Sequence, residues 1–100
     1  MPLQVPSKAT VATLSNVAVD STASVQLVGE NKARMALLLY NDSTADAFVC
    51  FGAAASSTSF TIKLVGGSYY EMPQALFAGI INCRWSAADP SGAMRITELS

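Results

Sequence analysis

A catalyst needs groups that move protons, attack carbon or phosphorus, or hold a metal, and this sequence is short of all three. It contains no histidine, so the commonest general base and the commonest neutral nitrogen ligand are missing together. Ser–His and Cys–His nucleophile pairs therefore cannot be assembled within the chain. The two cysteines, Cys50 and Cys83, are spaced far outside any CxxC pattern and read as two reduced, buried thiols acting as small hydrophobes. A disulfide between them needs facing strands and an oxidising compartment. Asp20, Asp42 and Asp89 fall in turn-like stretches, where Asp serves side-chain-to-backbone hydrogen bonds. Asp46, Glu71 and Glu98 lie in or beside strand-like segments with no recognisable partner. Asn41-Asp42-Ser43 offers oxygen ligands without a bidentate acidic partner at calcium spacing. It also matches Asn-x-Ser formally, with nothing to suggest secretion. Gly66-Gly67 is followed by Ser68-Tyr69-Tyr70 rather than by the Lys-Ser/Thr and helix of a phosphate loop. The expectation is a chain with no catalytic residue, no metal site and no cofactor.

What remains is contact chemistry. Adjacent strand residues face opposite ways, so one of Tyr69 and Tyr70 must point outward if their strand covers a core. Tyrosine is enriched at interfaces, which makes the pair a candidate contact position. A second candidate is the N-terminus, where Pro2 and Pro6 forbid regular pairing and Leu3 and Val5 supply apolar side chains. Residues 1–8 read as an extended arm, ordered by contact with a neighbour and too poor in apolar residues for a signal peptide. Phe48, Phe51, Phe60 and Phe77 read as core, as does Trp85, with its indole N–H expected on a backbone carbonyl.

Composition points the same way. Of the 100 residues, 51% are hydrophobic and 13% charged, against about 25% charged in an ordinary soluble domain. Such a chain inserts in a membrane or has its apolar surface covered by copies of itself or a partner. The apolar run Met35 to Tyr40 is far shorter than the roughly 20 residues of a spanning helix, which leaves assembly. Net charge is −1 and the six basic residues are scattered, so there is no basic stripe for nucleic acid.

The elements that position these residues are short β segments separated by turn residues, in one domain over residues 9–100. Ala9 to Val19 alternates loosely through Val11, Thr13, Val17 and Val19. Ala23 to Val28 is a cleaner strand. Arg34 to Tyr40, the most apolar, predicts burial on both faces, as for a central strand or one covered by a neighbouring subunit. Ala47 to Phe51 follows the turn Asn41 to Thr44. Phe60, Ile62 and Leu64 alternate inward in Ser59 to Leu64. Gly66-Gly67 predicts a tight hairpin into Ser68 to Met72. Gln74 to Phe77 has room for one helical turn. Gly79 to Ser86 and Met94 to Leu99 flank the turn Asp89-Pro90-Ser91-Gly92. About eight strands of this spacing predict an all-β, antiparallel two-sheet sandwich, with the jelly roll as one form of it.

Four stretches, taken in order, resemble a known family. Ala36 to Thr44 (ALLLYNDST) with Phe48 to Gly52 (FVCFG), Phe60 to Leu64 with Gly67 to Pro73 (GSYYEMP), Gly79 to Ile81 with Trp85 to Ala88, and Ala93 to Leu99 (AMRITEL) resemble segments of small β-sandwich virion proteins of tailed bacteriophages. The likeness runs from Lys32 to Leu99, while Met1 to Asn31 departs from it. It implies a structural protein of the virion, assembled in the host cytoplasm. The foremost role implied is capsid decoration (a cement protein) that binds the major capsid protein or other virion proteins. Composition and this resemblance together point to a homo-oligomer, for which a trimer is one candidate state, while run length and scattered charge point away from membrane and nucleic-acid partners. The alternative is a head-fibre or tail-associated adhesion module that binds a host-surface glycan or protein through Tyr69 or Tyr70.

Overall fold

The computed structural model of the chain describes residues 8–73 and 75–100. Eight strands follow one another: β1 (Ala12–Val17), β2 (Val25–Val28), β3 (Ala36–Asp42), β4 (Ala47–Phe51), β5 (Ile62–Leu64), β6 (Tyr69–Glu71), β7 (Ile81–Trp85) and β8 (Ala93–Leu99). They form two four-stranded sheets, β1-β8-β3-β6 and β2-β7-β4-β5, antiparallel throughout. The pairs β1·β8, β2·β7, β3·β6 and β4·β5 join the first half of the chain to the second in reverse order. The chain is thus one long antiparallel ribbon, rolled until β3 also meets β8 and β4 also meets β7. That is the jelly-roll order, and the all-β sandwich read from sequence is the fold. Of the arm at residues 1–8, all but Lys8 lies outside the described residues.

Period-two alternation decides what lies between the sheets. From the first sheet come Leu37, Leu39, Met94 and Ile96; from the second come Ala47, Val49, Ile81, Cys83 and Trp85, joined by Leu27, Leu64 and Met72. Two polar side chains close the ends of this core. At one end the guanidinium of Arg34, its side chain fully buried, donates Nε to Glu98 Oε2 (2.6 Å), Nη1 to the carbonyls of Phe77 (2.6 Å) and Gly79 (3.1 Å), and Nη2 to that of Gly29 (2.9 Å). At the other, buried Asn41 donates Nδ2 to the carbonyls of Ala45 and Leu64 (2.8 Å each) and accepts from Ser43 Oγ (2.6 Å). Each replaces water for backbone carbonyls that no strand pairs.

Several local expectations are corrected. Within one copy β3 is buried on its inner face alone: Leu37, Leu39 and Asn41 are buried while Tyr40 and Asp42 are exposed. Its apolar run had hidden an ordinary alternation. Gly66-Gly67 makes no hairpin, because β5 and β6 belong to different sheets. The pair instead sits in the crossover, where Gly67 has φ 82° and a Cβ on Gly66 would lie 2.5 Å from the Ser43 carbonyl oxygen. No helical turn forms after Pro73: Ala75 takes φ 62°, which ends any helix there, and Gln74 lies outside the described residues. Phe60 is 41% exposed rather than core, since the pairing of β5 with β4 begins only at Ile62. Trp85 is buried as expected, but its Nε1 has no hydrogen-bond partner among the described residues. It points between the sheets, where the strand carbonyls are already used by the ladders.

Candidate functional site

The two outward faces of the sandwich are treated differently by the chain itself. On the β2-β7-β4-β5 sheet, Phe48 and Cys50 point away from the core yet are buried. The segment 52–60 folds back over them. Its Phe60 ring lies 5.1 Å from that of Phe48, the buried Ala55 donates its N–H to Ser24 Oγ (2.9 Å), and Asn82 Nδ2 donates to the Ala53 carbonyl (2.8 Å). That face is covered from within the molecule.

The outward face of β1-β8-β3-β6 has no buried residue. The registers align Leu14, Thr97, Leu38 and Glu71 in one row and Asn16, Arg95, Tyr40 and Tyr69 in the next. A third row sets Ala12 beside Leu99 and Ala36. Leu14 is 73%, Tyr69 65% and Tyr40 42% exposed. Charge is confined to Glu71 and to one ion pair, Arg95 donating Nε and Nη2 to Asp42 Oδ2 at 3.0 and 2.8 Å. With strands about 4.8 Å apart and about 3.4 Å per residue, the face measures roughly 20 by 24 Å. A surface that exposes two tyrosines beside Leu14, with Arg95 and Asp42 neutralising each other, has the aromatic and aliphatic content of a contact face.

Of the residues singled out in sequence, Tyr69 lies on this face and Tyr70 turns inward to pack half-buried against the core. One of the pair is thus outward, as alternation requires. Pro2, Leu3, Val5 and Pro6 lie outside the described residues. Sequence reasoning missed Tyr40, Leu38 and Leu14. The alternation through Val11, Thr13, Val17 and Val19 places Leu14 on the opposite face of the strand from those residues.

The chemically reactive groups are held elsewhere. Cys83 points into the core and Cys50 away from it on the neighbouring strand, so the two thiols occupy opposite faces of one sheet and both are free. Burial pushes the Cys83 thiol up to about 12. A cleft of about 370 Å³ near Val19, Val25 and Pro90 includes Asp20 and Asp89, but both carboxylates are already engaged. The Thr22 backbone N–H and hydroxyl (2.8 Å each) hold Asp20 below its ordinary value, and the Thr44 backbone N–H (2.8 Å) does so for Asp89. Among the described residues no group of three or more Cys, Asp or Glu is placed to hold a metal ion. Comparison of the chain with known protein families, with characterised proteins and with solved structures gives no match. The class that the fold itself defines is a small jelly-roll β-sandwich with one open, tyrosine-bearing face.

Proposed function

We propose that this protein is a structural component of a tailed-phage virion, foremost a capsid decoration protein that works by surface contact and without chemistry. The observation that carries the reading is the asymmetry of the two outward faces: one is covered by the chain's own 52–60 segment, the other left open around Leu14, Tyr40 and Tyr69. Exposed large apolar side chains grouped on a face that no described residue covers mark a surface for a partner. The resemblance of Lys32 to Leu99 to small virion proteins supplies the particle as that partner, and the jelly roll is a fold used by viral capsid proteins among others. Fold alone does not assign function, so the weight rests on the face and the sequence resemblance together.

The test is co-sedimentation of purified protein with phage particles stripped of it. Tyr69→Ser and Leu14→Ser remove apolar contact without touching the core, so each is expected to weaken particle binding about tenfold or more while leaving the fold intact. Undiminished binding by both variants would refute the assignment of this face.

A second reading rests on Tyr40 and Tyr69, paired side by side across β3 and β6. Two outward tyrosines in one row form a platform on which a sugar ring can stack, and jelly rolls include lectin domains. In that case the same substitutions abolish binding to host-surface glycan and leave particle association unchanged.

A further inference from the structure

Among the described residues, β1 lies at the edge of its sheet with no strand paired on its outer side. A sheet edge is a row of unpaired donors and acceptors, and proteins usually blunt it with shortness, charge, proline or a bulge. Three of the four edges here are blunted. β2 has a register shift between Gln26 and Val28, β5 has three residues with Lys63 at their centre, and β6 has three residues ending in Glu71. β1 has none of these devices. It runs six residues, ATLSNV, in unbroken register with β8, and contains neither charge nor proline.

The pattern of hydrogen bonds says which groups are free. Val11 and Ser100 exchange both of their bonds, each N–H donating to the other's carbonyl at 2.9 Å. Alternation along an antiparallel ladder then turns the N–H and C=O of Thr13, Ser15 and Val17 toward β8, and those of Ala12, Leu14 and Asn16 toward the open edge. The same three residues carry their side chains on the open tyrosine-bearing face.

We infer that two copies of this chain join edge to edge through β1, antiparallel about a two-fold axis at Leu14. In that register Leu14 faces Leu14 of the second copy, and Ala12 faces Asn16 on either side. Each of these three residue pairs exchanges two backbone bonds. Every pair matches residues from the same face, so the two sheets continue as one sheet of eight strands with the tyrosine-bearing faces coplanar. The register also carries the Lys8 end of one copy toward the Asp20 end of the other, opposite charges at opposite ends of the edge. The segment before Lys8 is a poor alternative occupant, because Pro2 and Pro6 lack the donors that a ladder needs. A two-fold contact of this kind closes as a dimer, a different state from the trimer named as a candidate from sequence. It rests on strand geometry alone and requires no virion. It also has a consequence for the open face: one copy offers about half of the roughly 800 Å² per partner of a standard interface, and two copies side by side offer all of it.

Sedimentation equilibrium on the purified chain tests this without any particle present. The expected mass is twice the 10.4 kDa of the chain at high concentration, falling to that of one chain on dilution. Leu14→Pro removes an N–H that the folded chain does not use, and Leu14→Lys adds the charge that blunts an edge. Each is expected to raise the dissociation constant at least about tenfold, while Tyr69→Ser leaves it unchanged. The Ala12, Leu14 and Asn16 amides are expected to exchange slowly with solvent in the dimer and rapidly after dilution. A chain that stays monomeric, a three-fold mass, a dimer untouched by both Leu14 variants, or unprotected amides in a dimer would each overturn the proposal.

Discussion

Replacing Arg34 by Met is expected to be the most damaging single change outside the apolar core. This guanidinium donates four hydrogen bonds, three to the backbone carbonyls of Gly29, Phe77 and Gly79 and one to Glu98. Methionine keeps most of the stem's packing and strands every one of these acceptors. Glu98 is 15% exposed and recovers part of its hydration, whereas the Arg34 side chain is fully buried. Removing one partner of a buried pair typically costs about 3–5 kcal/mol, and the stranded carbonyls keep the expected loss in that range rather than below it. For a domain of this size that lowers the unfolding midpoint by roughly 15–25 °C, a large share of a total stability of about 5–15 kcal/mol. Urea unfolding followed by circular dichroism measures the loss without screening the charge. The internal comparison is Asp42→Asn, which breaks the exposed Arg95–Asp42 pair on the same sheet and is expected to cost under about 1 kcal/mol. A loss for Arg34→Met as small as that for Asp42→Asn would refute the reasoning that Arg34 closes the end of the core. So would a Glu98→Gln variant as unstable as Arg34→Met, because the carbonyl cradle survives that change.

Acid stability follows from Asp20 and Asp89. Hydrogen bonds from Thr22 and Thr44 lower both below the ordinary 3.8, so the stability they contribute is present above that value and is lost as pH falls through the lower folded value. The unfolding midpoint is expected to hold down to about pH 4 and fall below it, with a shallower fall in Asp20→Asn and Asp89→Asn; an unchanged acid limb in both would contradict this. Because Cys50 and Cys83 lie on opposite sheet faces, intact mass is expected to show two thiols and the thermal midpoint to be indifferent to reductant, and a reductant-sensitive midpoint would contradict the placement. Gly66→Ala drives a Cβ to 2.5 Å from the Ser43 carbonyl and is expected to cost about 2–3 kcal/mol. Gly67→Ala meets no atom within 4 Å and bears only the left-handed backbone penalty of about 1–2 kcal/mol. Denaturant midpoints that reverse this order would refute the crossover geometry.

Much of the fold was legible because period-two alternation is local. β4 was readable bound for bound, the inward side chains of Ile62 and Leu64 followed from their spacing, and the burial of Cys83 and Trp85 followed from residue type. Non-local features were not. Whether Gly66-Gly67 turns a hairpin or a crossover depends on which sheet receives Tyr69, and no residue near the glycines carries that information. Arg34 looks like an ordinary solvated charge at the start of a strand, and its burial comes from Phe77, Gly79 and Glu98, far along the chain. Asn41 looked like a turn residue and does serve the turn, but from inside the core. The candidate site was half legible: Tyr69-Tyr70 announced one outward tyrosine. Tyr40 was hidden in a run that read as buried on both sides. Which outward face stays open is decided by the 52–60 segment closing over Phe48 and Cys50, a choice made in three dimensions.

The central claim is that this chain is a particle component acting by contact, and its copy number in the particle tests that most directly. On the proposed reading, quantitative mass spectrometry of purified virions from a phage whose genome carries this sequence is expected to find hundreds of copies, in fixed ratio to the major capsid protein. A handful to a few dozen copies would move the protein to a fibre or tail and favour the glycan reading, and its absence from the particle would contradict the account.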